Sequence, residues 1–431
     1  MNAQEKHFRR FLIIWSGQLF SAIGSGLTAF ALGVFVFQKT QSATSYSLVI
    51  LFSFLPTFIL LPFGGVLADR LERKKMMIVG DAGAITGILF ILLVMLWGSL
   101  DLWHIYLGVA ISSVFAAIHN PAYKAAVTDL VTEKLYSQAS GLIQLAGSAQ
   151  YLISPIAAGF LISFFDIKVV LIIDILTFLF AVAVMFMIAK QDAVTPKHER
   201  QRFFHDINDA FQYLLSQKGV LWLVLLTSMV CFFIALFQSL FGPMMLTLTD
   251  SKTLGIALSV SASGMLVSSL FIGIYGINKS KVFSLSLSLA LAGLFYALVG
   301  LSTTVLLIII FCFLFFCTLP FVNTTLEVLI RKNIDNQKQG RVWSLVYAIS
   351  QVGYILAFGS AGFLADHLFN PLFYPDGALS QTAGIIIGIG QGRGIGFLFF
   401  LSGLLVSILA LIIGRVQQIR ALEQTISNSI T

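Results

Sequence analysis

Charge is what this chain has least of. Only 10% of its 431 residues are Asp, Glu, Lys or Arg, against 58% hydrophobic residues. An ordinary soluble domain carries about 25% charged residues, so a water-soluble globular fold is excluded. Cysteine is scarce as well. Cys231, Cys312 and Cys317 lie inside apolar stretches without metal-type spacing, which argues against a disulfide framework or a zinc site. No GxxxxGKS/T phosphate loop occurs, and the connections between apolar runs are too short to house a nucleotide-binding domain. ATP-driven pumping by this chain alone is therefore not expected. With no nucleophile–base triad, metal box or haem motif, neither enzymatic activity nor a cofactor is expected.

What the chain has instead is long hydrophobic runs. Its mean hydropathy is +0.94, and runs of roughly 20 apolar residues are long enough to cross a bilayer core as helices. The first, Phe11 to Phe37, is too long and too glycine-rich for a cleaved signal peptide. It reads as a retained first span. Twelve spans are predicted, near 11–37, 46–68, 77–98, 103–124, 138–164, 168–189, 219–246, 254–276, 282–301, 303–329, 341–365 and 393–414. Basic residues orient them. If the N-terminus is cytoplasmic, 22 Lys and Arg fall on the inner side, and only Lys39, Lys168, Lys252 and Arg393 fall outside. That asymmetry predicts both termini in the cytoplasm of a cell carrying the protein in its inner, cytoplasmic membrane. The net charge of +7 is then a consequence of topology, with no nucleic-acid partner.

One charged gap stands apart. Between spans 2 and 3 lies Gly65-Val66-Leu67-Ala68-Asp69-Arg70-Leu71-Glu72-Arg73-Lys74. An acid followed by a basic cluster is more than charge bias needs. The stretch resembles the loop signature of the major facilitator superfamily, GxxxDRxGRRK, with Gly65, Asp69, Arg70, Arg73 and Lys74 matching and Glu72 in place of the second glycine. The resemblance implies a cytoplasmic latch in which Asp69 faces the positive helix N-terminus near Gly340 and Arg341 and Arg73 pairs with Asp129. The plainer alternative is that Arg70, Arg73, Lys74 and Lys75 only obey the positive-inside rule. The equivalent place in the second half holds only Asn278-Lys279-Ser280-Lys281.

The longest polar connection, 191–218, divides the chain into 1–190 and 219–431. Within it Phe203, Phe204, Ile207, Phe211, Leu214 and Leu215 recur at helical spacing, which predicts an amphipathic segment on the inner membrane surface. At a constant offset of 203 residues, Asn120 meets Asn323, Tyr151 meets Tyr354, and Ala158-Gly159-Phe160-Leu161 meets Ala361-Gly362-Phe363-Leu364. The expected fold is thus an all-α membrane protein of twelve transmembrane helices in two pseudo-symmetric six-helix bundles, with a short cytoplasmic tail.

Antiporter members of the superfamily carry GxxxxxxxxGxxxGPxxGG in span 5. This chain keeps Gly141, Pro155 and Gly159 but has Gln150, Ser154 and Ala158 where that pattern has glycine. Small residues and a proline allow close approach and bending, which suits a gate, although ordinary helix packing uses them equally. Ionisable groups inside spans are the default functional candidates. Asp174, six residues after Lys168, is read as the only carboxylate well inside a span, and with His119 and Glu327 forms the set of proton-coupling candidates. Against those roles, Asp174 can simply fasten neighbouring helices, Glu327 can pair with Arg331 at i,i+4, and His119 can be an ordinary hydrogen-bonded histidine. Asp81, one turn into span 3 beside the basic loop, is read as structural.

Many proton-driven drug exporters of the superfamily carry an arginine in span 4. Here that span offers only His104 and His119 before Lys124. A large, hydrophobic cargo, neutral or weakly cationic, is expected. Cavity candidates are the polar residues Gln18, Ser21, Ser25, Ser112, Gln238, Asn323 and Gln351, with Phe115, Phe233, Phe237, Tyr347 and Tyr354 as aromatic surface.

Trp15-Ser16-Gly17-Gln18, Asn120-Pro121-Ala122, Gly340-Arg341-Val342-Trp343-Ser344-Leu345 and the external segment from Asp366 to Gly392 resemble the macrolide-efflux branch of the drug:proton antiporters. The resemblance implies efflux of a small-molecule substrate by alternating access, driven by protons, from a monomer embedded in the lipid bilayer. Export of an endogenous metabolite such as a siderophore or peptide is the alternative. A non-transporting sensor is a third, which would be expected to carry a soluble domain larger than the roughly 17 residues after Gly414.

Overall fold

The computed structural model describes residues 3–98, 100–131, 135–187, 211–277, 280–334, 339–415 and 419. Among these all regular structure is helical. The helices are α1 (Ala3–Thr40), α2 (Ala43–Arg70), α3 (Arg73–Trp97), α4 (Leu102–Leu130), α5 (Tyr136–Leu152), α6 (Ser154–Phe164), α7 (Ile167–Met187), α8 (Lys218–Leu246), α9 (Ser251–Tyr275), α10 (Lys281–Leu301), α11 (Val305–Lys332), α12 (Gln339–Phe363) and α13 (Arg393–Ile413). Short helical turns lie between α12 and α13. With α5 and α6 as two halves of one span, they supply twelve segments long and apolar enough to cross a membrane. Phe186, Met187, Leu270 and Ile274 are among many large apolar side chains left exposed. In water such surface would drive association; on a multi-pass membrane protein it faces lipid.

Helix ends follow the local sequence. Ser42 caps α2 by accepting the Ser45 N–H at 3.1 Å, and Gly98 ends α3 at φ 85°, where a side chain would be strained. The Asp101 N–H donates to Nδ1 of His104 at 3.0 Å at the start of α4. Two boundaries differ from the hydropathy reading. The fifth span is broken at Ile153, because Pro155 in the first turn of α6 has no N–H to offer the preceding turn. The eleventh runs on to Leu372 through a π-helical turn, Leu364–Phe369. Asp366 and His367 in that turn lower the hydropathy without ending the helix.

The chain forms two compact units. The first comprises 1–198 together with 250–259, the second 199–249 and 260–431. In the first, α3 packs on α4 through a stripe of glycines. A Cβ on Gly80 would lie 2.6 Å from Cβ of His119, one on Gly83 would enter the Phe115 ring, and one on Gly87 would come 2.2 Å from the Gly108 carbonyl oxygen. Glycine thus brings the two backbones together, as in other membrane helix pairs. In the second unit Gly300 meets Gly396 in the same way, the added Cβ falling 2.1 Å from that carbonyl oxygen. Its core is aromatic: Phe237 stands 4.8 Å from Phe241, 5.3 Å from Phe315 and 5.4 Å from Phe399, centroid to centroid.

The amphipathic stretch expected in 191–218 lies mostly outside the described residues. Within helical residues 211–216, Leu214 is buried while Phe211 and Leu215 are exposed.

Candidate transport site: polar groups buried within the spans

At the 2–3 turn, Gly65, Asp69 and Arg70 belong to α2, Asp129 to α4, and Gly340 and Arg341 to α12. Their side chains and surroundings lie outside the described part of the structure. Arg73 is described: its Nη1 donates to the Ala125 carbonyl at 2.7 Å, one turn before Asp129. A guanidinium there meets the negative end of α4. Glu72 pairs with Lys75 at 2.9 Å, and Lys74 lies in the first turn of α3.

In the fifth span, Gly141 faces open space, whereas Pro155 and Gly159 sit at a tight contact within the first unit. A Cβ on Gly159 would lie 2.7 Å from the Ser251 carbonyl oxygen, and one on Gly255 would lie 2.2 Å from that of Pro155. The start of α9 thus runs backbone to backbone along α6. Ser163 and Ser251 share a hydroxyl contact at 3.4 Å, and the Lys252 ammonium sits 4.7 Å over the Phe160 ring.

Asp174 is fully buried (0% exposed) on α7. Gly24 of α1 passes over it, so that a Cβ there would lie 2.7 Å from Oδ1. The Thr28 and Thr177 hydroxyls stand beside the carboxylate. Neither of its oxygens makes a hydrogen bond of proper geometry, and the Thr177 hydroxyl donates instead to the Asp174 backbone carbonyl at 2.7 Å. Glu327 is of another kind. It is half exposed (54%) and pairs with Arg331 at 2.6 Å, the i,i+4 bridge its spacing anticipates.

The reading of Asp174 as the only carboxylate well inside a span needs correction. Asp81 is 2% exposed. It accepts a hydrogen bond on Oδ2 from Gln18 Nε2 at 3.0 Å, and its Oδ1 lies 3.4 Å from Nε2 of His119. Its place one turn into span 3, beside the basic loop, left it out of the count of carboxylates well inside a span. The glycine stripe overrides that by drawing α4 onto α3 and placing the imidazole over the carboxylate. Gly80 next to Asp81, followed by Gly83 and Gly87, was the legible signal.

The cavity candidates scatter. Gln18 is engaged by Asp81, and Ser21 is buried on the same helix, with Ser25 partly buried. Ser112 donates to the Ala84 carbonyl at 2.8 Å, and Phe115 packs on Gly83. In the second unit Phe233 and Phe237 are buried in the aromatic core, where Phe233 lines a water-sized apolar void of about 20 Å³ with Tyr296 and Phe315. Gln238, Asn323 and Tyr347 are exposed. Gln351 donates to the Tyr347 hydroxyl at 3.0 Å, and Tyr354 packs on Phe358 with centroids 5.7 Å apart.

Among the described residues, twelve apolar spans with carboxylates and an imidazole buried between them make a multi-pass membrane protein with a polar interior. The chain belongs to the Major Facilitator Superfamily, whose profile it matches over residues 14–358. It is 25% identical over 421 residues to macrolide efflux protein A of Streptococcus pyogenes, covering 96% of this chain and 97% of that one. It is also 29% identical over 153 residues to the enterobactin exporter EntS of Shigella flexneri, covering 36% and 37% of the two chains. Among solved structures, a bacterial homologue of the iron transporter ferroportin, in an inward-facing state, superposes with a TM-score of 0.71. That pair is 13% identical and covers 94% and 99% of the two chains, which speaks for the fold alone.

Proposed function

We propose that this chain is a secondary active exporter. On this reading it sits in the cytoplasmic membrane with both termini in the cytoplasm, works as a monomer, and expels a hydrophobic or amphiphilic, macrolide-like molecule by alternating access in exchange for protons. The observation that carries the reading is the end-to-end likeness to macrolide efflux protein A. The aromatic-rich interior and the lack of arginine within span 4 support a bulky cargo without strong charge. The 22-to-4 distribution of basic residues supports the orientation. Proton exchange is supported by ionisable groups held away from water, where a fixed charge costs several kcal/mol and a titrating one can be neutralised. Asp174 and His119 meet that description; Glu327, exposed and paired, meets it less well.

The test is uptake of a radiolabelled macrolide into inverted membrane vesicles under an imposed pH gradient. Accumulation that needs both the chain and the gradient is expected. Accumulation unaffected by collapsing the gradient would remove proton exchange, and no chain-dependent accumulation would remove the macrolide-like cargo. A second reading, export of an endogenous small metabolite, draws on the likeness to the enterobactin exporter over about a third of the chain. It is favoured if a cell lacking the chain retains such a metabolite while its macrolide tolerance is unchanged.

A further inference from the structure

Three helices of the first unit converge on one polar knot. Gln18 comes from α1, Asp81 from α3, and His119 from α4. Asp81 lies about 12 Å along α3 from its first residue at helical rise. Met76, Met77, Ala122 and Ala126 are buried in the adjoining core. Of the two Asp81 oxygens, one holds the Gln18 amide, while the other faces His119 Nε2 at ion-pair distance without hydrogen-bond alignment. The imidazole also stacks on Tyr123, centroids 5.9 Å apart and planes 22° from parallel, and the Tyr123 hydroxyl is itself buried without a partner.

We infer that Asp81 and His119 together form a site for one exchangeable proton, the proton that moves against cargo. The inference rests on the proton-exchange reading above and names the groups that carry it. Proton balance is simple. The empty pair is a carboxylate beside a neutral imidazole, with net charge −1. One proton from the water on one side of the membrane converts it to a neutral pair, as carboxylic acid with imidazole or as carboxylate with imidazolium. Release to the other side restores −1. A second proton would leave a buried net positive charge, and the unprotonated pair leaves a buried negative one, each costly so far from water. The pair therefore behaves as one macroscopic site.

The surrounding groups leave that role to this pair. From α1 the facing group is the neutral Gln18; from α4 it is His119, stacked on Tyr123. On α3 itself the nearest cations are Arg73, Lys74 and Lys75, and the Arg73 guanidinium bonds to the Ala125 carbonyl. From α7, which also packs on α3, the ionisable residues are Lys168 at its start and Asp174, whose neighbours are Gly24, Thr28 and Thr177. Gln18 and Gly24 are six residues apart on α1, about 9 Å, so the two carboxylates attach to different levels of one helix. Asp81 has a titratable partner; Asp174 has hydroxyls.

The test counts protons on the purified full chain in lipid nanodiscs, without cargo. Between about pH 8 and pH 5, Asp81→Asn, His119→Gln and the double variant should each take up one proton fewer than wild type. A double variant short by two protons, or an Asp81→Asn protein that titrates like wild type, overturns the shared site. Should Asp81→Asn not fold, His119→Gln alone must lose one proton and Asp81→Glu must keep it; either failing overturns the site too. Reconstituted Asp81→Asn should also carry radiolabelled macrolide in counterflow while losing all accumulation driven by a pH gradient. A variant that still accumulates means the pair is not the coupling site. If wild type itself is not driven by the gradient, the proton-exchange reading fails, while the proton count still decides whether the pair is one site.

Discussion

Gly255 and Pro155 touch so closely that a single added methyl group on the glycine would fall 2.2 Å from the proline carbonyl oxygen. The atom in the way is backbone, so no side-chain rotation relieves the contact. Together with Gly159 against Ser251, it fixes how the start of α9 lies along α6. Replacing Gly255 by Val should destabilise the protein by about 1–3 kcal/mol, the usual range for overpacking, and should lower export. Thermal unfolding of the purified variant is the check. An unchanged midpoint would mean that the two helices do not meet this way in the bilayer.

Asp69 sits in the charged turn that set this chain apart as a sequence, and its part in a latch is a proposal carried by the family signature. If the carboxylate steadies one conformation of the transport cycle, Asp69→Asn removes charge and hydrogen-bonding capacity of the order of 1–3 kcal/mol, enough to shift a two-state balance several-fold or more. Export should fall while membrane insertion and yield stay near normal. Wild-type rates from a well-expressed Asp69→Asn protein would end the latch idea.

How much of this was readable beforehand follows from what each feature depends on. Spans depend on runs of apolar residues, so twelve were legible, and the break at Ile153 was foreshadowed by Pro155. The Glu327–Arg331 bridge is local, fixed by i,i+4 spacing, and it forms. The burial of Asp81 is not local. It depends on which face α3 turns to α4, and that is decided by Gly80, Gly83 and Gly87 acting together. Hydropathy averages over faces and misses this. Likewise Phe237 among forty phenylalanines gave no hint that it would centre the core of the second unit. The π-helical turn at Leu364–Phe369 was hidden because Asp366 and His367 looked like the end of a span.

Asp250 supplies a pH dependence outside the membrane. It precedes α9, and hydrogen bonds from Thr253, from its side chain first and then its backbone, hold the carboxyl below its ordinary value of 3.8. The Thr253 N–H reaches Oδ1 at 2.8 Å. Because the folded-state value is depressed, the stabilising contribution is present above the unfolded value and lost as pH falls through the folded one. At neutral pH Asp250→Ala should cost about 0.5–2 kcal/mol, as loss of a helix N-cap does, with the lower end favoured by its exposure. The difference in thermal midpoint between variant and wild type should shrink below pH 3.8. A difference that stays constant with pH would assign the effect to something other than the carboxylate.

Asp174 poses the sharper choice. Its carboxylate is sealed between α1 and α7 with no well-formed hydrogen bond, yet it faces hydroxyls where Asp81 faces an imidazole. A group so placed fastens two helices more readily than it exchanges a proton, since no partner is on hand to take up charge when the proton leaves. Asp174→Asn keeps the size and polarity of the side chain and removes the ionisation. It should therefore leave accumulation driven by a pH gradient in place, whereas Asp174→Leu, which strips the Thr28 and Thr177 hydroxyls of a polar neighbour, should lower thermal stability or yield. Driven uptake and counterflow measured in the same vesicles separate the roles. Loss of driven uptake with counterflow intact in Asp174→Asn would make Asp174 the coupling group and displace the Asp81–His119 pair from that role.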